Sequence, residues 1–430
     1  MEEYNPWWFK EEHPKYTEWK EYAIKWIPLI IRHYDTEPFS LNFIVGPRQV
    51  GKTMSIMIYI HHVLLKRINP KAVFYFSCDE VSDYRELGEI LDSYLKAKEE
   101  WHVKTAYIFL DEITFVEDWW RAIKSRIDLG KFRRDVIYIS GSASVEILKQ
   151  KERFPGRVGH GKEIYYLPMD FAEYVMHFSK LKIETTPVKE KERWLQKLRT
   201  LSVIEKKLGD IFLNYIETGG FPLAIRDKFE KGKITISSEK TYLDWIKNDW
   251  IKTGKNEKYM KEILSYILRA RLAPVSWLKI SKETSIRSPN TVASYLETLE
   301  NLFIIKILYV ITPEGKILYR KSKKIHVIDP FIYRVLSRYT RTPVYEEQIV
   351  ESTVVGHLMR VAEVYYWKNK SEVDIIARIN NELLGFEVKW GVKIWRKPRA
   401  FKVFLLDRRN IPEFLASINW LEINEKIHSY

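Results

Sequence analysis

Four residues in the stretch GPRQVGKT, namely Gly46, Gly51, Lys52 and Thr53, have types and spacing suited to phosphate chemistry. Glycines at the two ends of such a loop allow several backbone N–H groups to point at one phosphate, and the helix that follows adds positive partial charge. The lysine supplies a full positive charge, and the threonine hydroxyl can ligate Mg²⁺. A glycine turn with a purely structural role is the alternative. We predict a nucleotide site formed by Gly46, Pro47, Arg48, Gln49, Val50, Gly51, Lys52, Thr53 and Met54.

A pair of acidic residues, Asp111 and Glu112, follows the apolar run YIFL. Ligands of open α/β sheets bind beyond the carboxyl ends of the strands, so an acid at the end of a buried strand can face a phosphate loop. We expect Asp111 to hold Mg²⁺ together with Thr53, and Glu112 to act as the general base that polarises the attacking water. An apolar strand that ends in two acids is common by itself, and its meaning depends on the loop upstream.

A third apolar run, VIYIS, leads to further polar positions. Ser140 and Ser142 close this run, where a hydroxyl can sense the γ-phosphate; a Ser/Gly turn that satisfies its own backbone is the alternative. Arg157 lies in the glycine-rich segment FPGRVGHG. Such an arginine can stabilise the charge of a transferring phosphate, often in a neighbouring subunit, and an ordinary surface arginine is the alternative.

A second group of charged residues lies near the C-terminus, in EVDIIARINNELLGFEVKW. Glu387 and Lys389 alternate with apolar residues and therefore share one face of a strand. An Asn-Asn turn can bring Asp374 of the preceding strand beside Glu387, and Glu351 lies in a helical run that can pack on the sheet. Such oxygen ligands suit Mg²⁺ or Mn²⁺, and Lys389 can orient a metal-bound water or help to deprotonate it, as cleavage of a phosphodiester requires. A solvated cross-strand ion pair is the alternative.

The elements that must position these residues follow from the apolar periodicity. Alternating strand and helix patterns from residue 39 to residue 175 predict a parallel sheet covered on both faces, an α/β fold. Helical spacing then predicts an amphipathic connector through Leu195, Leu198, Leu201, Ile204 and Leu208. We divide the chain into an N-terminal extension at 1–38, a P-loop core at 39–178, a helical connector at 179–255, a winged helix at 256–342 and a C-terminal α/β domain at 343–430.

The winged helix-turn-helix is predicted from a short helix at Trp277 to Ser281, a second helix that Ser288 caps, and two strands around a Pro-Glu-Gly turn. A winged helix used for packing or protein contact is the alternative to one that binds DNA. The residues expected near a DNA groove are Arg287, Asn290 and Thr291, and those expected to contact phosphates are Arg320, Lys321, Lys323 and Lys324.

Charge is distributed unevenly along the 430 residues, whose net charge is +14. Residues 251–400 contain 27 Lys and Arg against 15 Asp and Glu, whereas residues 1–150 contain 21 against 23. A basic surface attracts phosphate backbones by counterion release, so we expect a DNA-directed C-terminal half; a solvated face or an acidic partner is the alternative. The chain has no apolar run of membrane-helix length, no start that resembles a secretory signal and a single cysteine, Cys78, so we expect a cytoplasmic protein.

In combination these motifs resemble the AAA-type ATPases of archaea and bacteria that carry a C-terminal winged helix and a PD-(D/E)XK nuclease-type fold. The similarity rests on NPWW near the start, GPRQVGKT, FYFSCDE, YIFLDEIT, SGSAS, PGR, ETGGFP, SPNTVASYLETLENLF and EVDIIA…FEVKW. It implies an ATPase site at Lys52, Thr53, Asp111 and Glu112, and a nuclease signature at Glu351, Asp374, Glu387 and Lys389. Val373 stands where the name of the motif has proline.

The ligands implied are ATP and Mg²⁺, with Mn²⁺ as an alternative at the C-terminal site, and the implied partner is DNA. A homo-oligomer is left open, because Arg157 can act in its own subunit or in a neighbouring one. Three functions remain open as well. One is ATP hydrolysis coupled to a DNA-directed C-terminal half, with or without Mg²⁺-dependent nuclease activity. The second is an NTP-controlled signalling or scaffold protein whose C-terminal domains bind partners without cleaving nucleic acid. The third is a DNA-binding regulator whose ATPase is a slow timer.

Overall fold

The computed structural model describes residues 1–34, 37–141, 144–181, 183, 186–187, 206–369, 371–391 and 400–419. The chain divides into two compact units, Met1–Leu167 and Pro168–Tyr430. This boundary lies before the predicted end of the P-loop core at residue 178, and the division into five segments stays a prediction. Within the described residues, none of the helices has the length and apolar composition that crossing a membrane requires. Predicted positions outside the described residues are Ser142, Leu195, Leu198, Leu201 and Ile204.

The strands of the first unit are short, apolar and largely buried, as expected for a sheet covered on both faces. They are β1 (Ser40–Val45), β2 (Val73–Ser77), β3 (Tyr107–Asp111), β4 (Val136–Ser140) and β5 (Glu163–Tyr165). The α-helices of this unit are α1 (Pro14–Glu21), α2 (Lys52–His62), α3 (Tyr84–Glu100), α4 (Trp119–Asp128) and α5 (Ser144–Lys151). Short 3-10 helices span Glu2–Tyr4, Pro6–Phe9, Leu29–His33, Leu64–Lys66, Pro70–Ala72 and Ile113–Phe115.

All neighbouring strands of this sheet are parallel, in the order β2-β3-β4-β1-β5. The predicted parallel α/β sheet is therefore confirmed. Because the strands run in one direction, their carboxyl ends lie along a single edge of the sheet. The loop after β1, the acids at the end of β3 and Ser140 at the end of β4 consequently share that edge.

The N-terminal residues cover the outer edge of the same sheet, which β2 forms. The side-chain amide of Asn5 donates to the backbone oxygen of Tyr75 at 2.9 Å, and its oxygen accepts from the Tyr75 N–H at 2.7 Å. The indole N–H groups of Trp7 and Trp8 both donate to the backbone oxygen of Val73, at 3.1 and 3.0 Å. An uncovered strand edge invites pairing with other chains, and here side chains take the hydrogen bonds that a further strand would make.

The second unit is rich in helices, and nearly all of its described strands follow a run of six helices from Lys206 to Asn301. Its described helices are α6 (Phe171–Phe178), α7 (Lys206–Thr218), α8 (Pro222–Lys231), α9 (Ile236–Lys252), α10 (Glu257–Ala270), α11 (Trp277–Glu283), α12 (Pro289–Asn301), α13 (Pro330–Thr340), α14 (Glu346–Leu358) and α15 (Ile411–Ser417). Its described strands are β6 (Thr186–Pro187), β7 (Ile305–Leu308), β8 (Val310–Ile311), β9 (Ile317–Leu318), β10 (Lys324–Val327), β11 (Glu363–Lys368), β12 (Glu372–Ile379), β13 (Glu382–Lys389), β14 (Lys402–Asp407) and β15 (Ile418–Asn419).

The helices α11 and α12 lie where the helix-turn-helix was predicted. Ser288 is the N-cap of α12 and Pro289 its first residue, and the buried face of that helix includes Val292, Leu296 and Leu299. The strands that follow pair antiparallel on either side of the Pro313-Glu314-Gly315 turn, as predicted, but each arm is divided into two short strands. β7 pairs antiparallel with β10, whereas β8 and β9 form a separate antiparallel pair. Since β8 also pairs with β11, the expected wing is partly built into the next sheet, and the winged-helix assignment stays a proposal.

The C-terminal sheet has the order β14-β13-β12-β11-β8-β9. β12 and β13 form the antiparallel hairpin that the sequence predicts. Asn380 and Asn381 make its turn with φ of 49° and 64°, the left-handed conformations that a tight two-residue hairpin requires. The helix α14 packs against β10 and β11. This packing brings residues of α14 and β10 to the face of the hairpin that carries its charged side chains.

Candidate nucleotide site and carboxylate–lysine cluster

The loop between β1 and α2 requires glycine at both of its ends. A Cβ atom on Gly46 would lie 2.0 Å from the backbone oxygen of Tyr166, so the close approach of two chain segments excludes a side chain there. Gly51 has φ 105°, which L side chains rarely adopt, and it is the N-cap of α2. The first N–H groups of an α-helix have no acceptor within the helix, so this end of α2 offers donors to an anion.

Lys52 is the first residue of α2 and is buried, with 7% of its surface exposed. Its ammonium group donates to the backbone oxygens of Gly46 and Pro47, each at 2.8 Å. Both acceptors are neutral, and charged phosphate oxygens are stronger acceptors for an ammonium group. Of the other predicted loop residues, Val50 is buried, Arg48 and Met54 are half-buried, and Gln49 is exposed.

Thr53 and Asp111 are in direct contact, which joins the phosphate loop to the end of β3. The Thr53 hydroxyl donates to Asp111 Oδ2 at 2.6 Å. The same oxygen accepts from the Tyr75 hydroxyl at 3.1 Å, and Oδ1 accepts from the Glu112 N–H at 3.1 Å. Burial and the neighbouring Asp111 carboxylate raise the pKa of Tyr75 well above its usual range, so its hydroxyl remains a donor. Sequence reasoning missed Tyr75, although its place in the apolar strand next to β3 was a usable signal.

Glu112 and Ser140 extend this edge. Glu112 follows Asp111 in the left-handed backbone conformation, with φ 53°, and its side chain is partly exposed. Ser140 pairs with Ile44 in the sheet, two residues before Gly46, and is 1% exposed. Its hydroxyl has no hydrogen-bond partner among the described residues. A buried, unpaired hydroxyl beside the phosphate loop is compatible with the predicted role of sensing a phosphate.

The described contacts of Arg157 are not with the residues of the candidate nucleotide site. Its guanidinium pairs with the Asp128 carboxylate at 2.6 Å and donates to the backbone oxygen of Pro155 at 3.1 Å. Asp128 ends α4, so Arg157 anchors its own loop to that helix within the first unit. The predicted action of Arg157 on phosphate stays a prediction.

The charged residues of the C-terminal hairpin lie side by side, as the sequence predicts. The Asp374 N–H donates to Glu387 Oε2 at 3.3 Å. The Lys389 ammonium donates to Glu387 Oε1 at 2.5 Å and to Asp374 Oδ2 at 3.4 Å. Asp374 Oδ2 also accepts from the Val388 N–H at 3.1 Å.

Lys324, which was predicted to contact DNA phosphates, completes this group of charged residues. The Lys324 ammonium, at the start of β10, lies 3.1 Å from Glu351 Oε1, 2.9 Å from Glu372 Oε1 and 3.0 Å from Asp374 Oδ1. Lys324 is only 3% exposed. We call the set of Lys324, Glu351, Glu372, Asp374, Glu387 and Lys389 the carboxylate–lysine cluster.

The predicted phosphate contacts of Lys323 and Lys324 are therefore wrong. Both residues are buried, at 6% and 3% exposure. Lys323 forms a backbone bridge with Val275 just before β10, and its ammonium lies 4.7 Å from the centre of the Trp277 ring, whereas Lys324 is the first residue of β10. Arg320 and Lys321 are exposed, as expected of residues that could meet DNA. The helix-turn-helix residues that were expected near a groove are likewise exposed or half-buried, namely Arg287, Asn290 and Thr291.

Burial and mutual contact shift the ionisation of the cluster. Burial raises the pKa of Glu351 to about 7, with Asp374 adding to the effect and Lys324 opposing it. Burial, together with the Asp374 charge, also raises the pKa of Glu387. Burial disfavours the charge of Asp374, but Lys324 and Lys389 outweigh it and lower its pKa. Burial likewise acts against the Lys324 charge, and the three carboxylates outweigh it and raise its pKa well above the usual range.

The cluster does not fit a divalent metal in this arrangement. Among the residues that the structure describes, no group of three or more His, Cys, Asp or Glu side chains is placed to hold a metal ion. The ammonium of Lys324 takes one oxygen from each of Glu351, Glu372 and Asp374. The predicted metal ligands Glu351, Asp374 and Glu387 are thus brought together, but around lysine, and their role as ligands stays a prediction.

Two family models match separate parts of the chain. Residues 39–175 match the AAA domain, and residues 209–342 match a domain of unknown function, DUF8612. The first range covers the parallel sheet from β1 to β5 together with the phosphate loop and the acids after β3. The second covers the helices α8 to α13 and most of α7.

Similar proteins occur in a bacterium and in an archaeon. An uncharacterized protein of Haemophilus influenzae is 22% identical over 377 residues, which are 84% of this chain and 85% of that protein. An uncharacterized protein of Methanocaldococcus jannaschii is 29% identical over 160 residues, 36% of this chain and 31% of that protein. The solved structure of the Aeropyrum pernix ORC2 protein, with 12% identity and a TM-score of 0.38, covers 70% of this chain and 88% of its own. The family match and the geometry of the loop together identify residues 39–175 as an AAA-type P-loop domain.

Proposed function

We propose that the first unit binds ATP with Mg²⁺ and hydrolyses it. The observation that carries this proposal is the 2.6 Å contact between Thr53 Oγ1 and Asp111 Oδ2. It places a hydroxyl and a carboxylate oxygen together at the end of the phosphate loop, and Mg²⁺ takes oxygen donors of this kind. The described hydrogen bonds to Asp111 all come from neutral donors, so its negative charge is available to a cation.

Each residue of the site has a distinct part in this proposal. Lys52 exchanges two neutral carbonyl acceptors for phosphate oxygens, where its charge stabilises the negative charge of the transition state. Glu112 orients the attacking water and takes its proton. The Ser140 hydroxyl donates to the γ-phosphate. Thr53 and Asp111 would hold Mg²⁺, and the bound ion would neutralise charge on the β- and γ-phosphate oxygens.

The test is ATP hydrolysis by the whole chain and by Lys52→Ala. We expect turnover to fall by at least about 100-fold, since Lys52 acts on the charge that develops in the transition state. Lys66→Ala is the matched control, because Lys66 is an exposed lysine just beyond the end of α2 and should leave turnover unchanged. Equal turnover by Lys52→Ala and the unmodified protein would overturn the assignment.

We further propose that the second unit contacts DNA through exposed basic residues. Support comes from the charge excess of residues 251–400 and from the exposure of Arg287, Arg320 and Lys321. Phosphate contacts of this kind weaken steeply with salt. The ATPase assay is therefore repeated with single-stranded and with double-stranded DNA at two salt concentrations. Stimulation that salt abolishes supports DNA as the partner, and its absence favours the alternative of an NTP-controlled protein that binds other proteins.

Cleavage of DNA is not included in the proposed function. A Mg²⁺-dependent nuclease requires the carboxylates of Glu351, Asp374 and Glu387 to hold a metal. Two of these three carboxylates contact the Lys324 ammonium instead. Binding of DNA without cleavage is therefore the function that we assign to the C-terminal half.

A further inference from the structure

Lys324 has the contacts of a bound cation rather than those of a surface lysine. An ammonium group has three N–H donors, and the three carboxylates of Glu351, Glu372 and Asp374 lie between 2.9 and 3.1 Å from it. These carboxylates come from α14 and β12, whereas Lys324 comes from β10. A single side chain thus joins separate elements of the second unit through charge-assisted hydrogen bonds.

We propose that the Lys324 ammonium is the resident cation of the carboxylate–lysine cluster and excludes a divalent metal from it. Its position between Glu351 and Asp374 is the one that a metal bridging these two residues would need. Lys389 takes the other side of Asp374 and one oxygen of Glu387. A metal ion entering this space would therefore meet two like charges a few ångströms away.

Both oxygens of Asp374, of Glu387 and of Glu372 are already engaged. Asp374 uses Oδ1 for Lys324, and Oδ2 for Lys389 and the Val388 N–H. The Glu387 oxygens accept from Lys389 and from the Asp374 N–H. The Glu372 oxygens contact Lys324 and Lys368. A divalent ion would have to replace these donors before it could take its usual set of oxygen ligands.

Lys324 also cannot leave the cluster easily. Its strand is fixed on one side by antiparallel pairing, in which Lys324 lies opposite Leu308. Two residues along, the buried His326 contacts the Ser352 hydroxyl of α14 at 3.0 Å. Withdrawal of the ammonium would remove the described ion pair of Glu351 and leave Asp374 with Lys389 alone, which is unfavourable for carboxylates that are largely shielded from water.

The experiment measures Mn²⁺ binding to the nucleotide-free whole chain by electron paramagnetic resonance of the free ion. Four proteins are compared: the unmodified chain, Asp374→Asn, Lys324→Met, and the double variant with both changes. The unmodified chain and Asp374→Asn should bind equal amounts of Mn²⁺. Lys324→Met should bind about one Mn²⁺ more per chain than the double variant, because removal of the ammonium frees oxygens of the kind that Mn²⁺ prefers.

Two results would overturn the proposal. One is an Asp374-dependent Mn²⁺ site in the unmodified chain, and the other is a folded Lys324→Met that binds no more Mn²⁺ than the double variant. If Lys324→Met does not fold, the comparison of the unmodified chain with Asp374→Asn decides alone, since equal binding supports the proposal and a difference refutes it. Lys324→Arg provides a further check, because it keeps the positive charge and should also bind no Mn²⁺ at Asp374. None of these measurements depends on ATP hydrolysis.

Discussion

The nucleotide site and the carboxylate–lysine cluster each contain a buried lysine, but the two lysines have different partners. Lys52 donates to two neutral carbonyl oxygens, whereas Lys324 contacts three carboxylates. A lysine on neutral acceptors gains from an incoming anion, because charged acceptors bind an ammonium more strongly. A lysine that already has carboxylate partners has little to gain. These partners support the proposal that Lys52 binds phosphate and that Lys324 stabilises the fold.

The central acids of the two regions show the same contrast. Asp111 accepts hydrogen bonds from the Thr53 and Tyr75 hydroxyls and from a backbone N–H, all of them neutral. Asp374 contacts the ammonium groups of Lys324 and Lys389. A carboxylate held by neutral donors keeps its charge for a metal, whereas one held by two lysines does not. Carboxylates on strands of a sheet are thus not sufficient evidence of a metal site.

The largest effect that tests this contrast is on stability. Lys324→Met should lower the free energy of unfolding of the second unit by about 3–5 kcal/mol, since removal of one partner leaves buried charges uncompensated. Lys52→Met, which removes a buried lysine that donates to two neutral carbonyl oxygens, should cost only about 1 kcal/mol. Urea unfolding followed by circular dichroism measures both changes.

The Lys52→Met and Lys324→Met variants can also contradict this comparison of the two lysines. Equal losses for Lys52→Met and Lys324→Met would mean that the nature of the acceptors does not set the importance of a buried lysine here. Lys321→Met is the matched surface control, because Lys321 belongs to the same basic run as Lys324 but is exposed. Lys321→Met should change the free energy of unfolding by close to zero, as do most substitutions at exposed positions.

The next effect sharpens the assignment of the nucleotide site. Thr53→Val removes the hydroxyl that lies 2.6 Å from Asp111 and should weaken binding of ATP with Mg²⁺ by about 10- to 100-fold, the worth of a hydrogen bond to a charged group. Thr53→Ser keeps the hydroxyl and should bind nearly as the unmodified chain does. Calorimetry measures the affinity for ATP with Mg²⁺ and with a chelator. The difference in affinity between the Val and Ser variants should shrink when the metal is removed. Equal affinities of the Val and Ser variants would contradict the role of Thr53.

The arrangement of the candidate nucleotide site was predictable because its information is local. The spacing of Gly46, Gly51, Lys52 and Thr53 in the sequence defines a loop, and the apolar runs on either side define the strand and the helix that hold it. The acids after β3 join it through the general rule that parallel strands end along one edge. The hairpin of β12 and β13 was predictable for a similar reason, since Asn380 and Asn381 specify its turn.

The partners of the C-terminal carboxylates were not predictable in this way. Lys324 was interpreted as part of the basic run RKSKK, and nothing in that run distinguishes an inward lysine from its exposed neighbours. A usable signal lay in the strand itself, where Lys324 and His326 alternate with Ile325 and Val327. This is the same alternation that singled out Glu387 and Lys389. Which strand then faces which helix depends on long-range packing that the sequence does not show locally.

The N-terminal segment illustrates the same limit at the other end of the chain. NPWW was recognisable as a motif, but its place against the edge of β2 was not. Asn5 holds both backbone hydrogen-bonding groups of Tyr75, and the Tyr75 hydroxyl in turn contacts Asp111. A residue far from the phosphate loop in sequence is therefore linked to the acid of the nucleotide site through one tyrosine.

The smallest effect concerns this tyrosine. Tyr75→Phe removes one neutral donor from Asp111 but leaves the Thr53 hydroxyl, so ATP turnover should fall by only about 3- to 10-fold, in line with the loss of one hydrogen bond. Tyr94→Phe is the matched control, because Tyr94 is equally buried in the same unit and its hydroxyl donates to the backbone oxygen of Lys71 instead. ATP turnover measured over a range of Mg²⁺ concentrations distinguishes the two variants. Tyr75→Phe should change the Mg²⁺ dependence of turnover, and Tyr94→Phe should not. The same Mg²⁺ dependence in both variants would show that Asp111 does not need Tyr75 to hold its orientation.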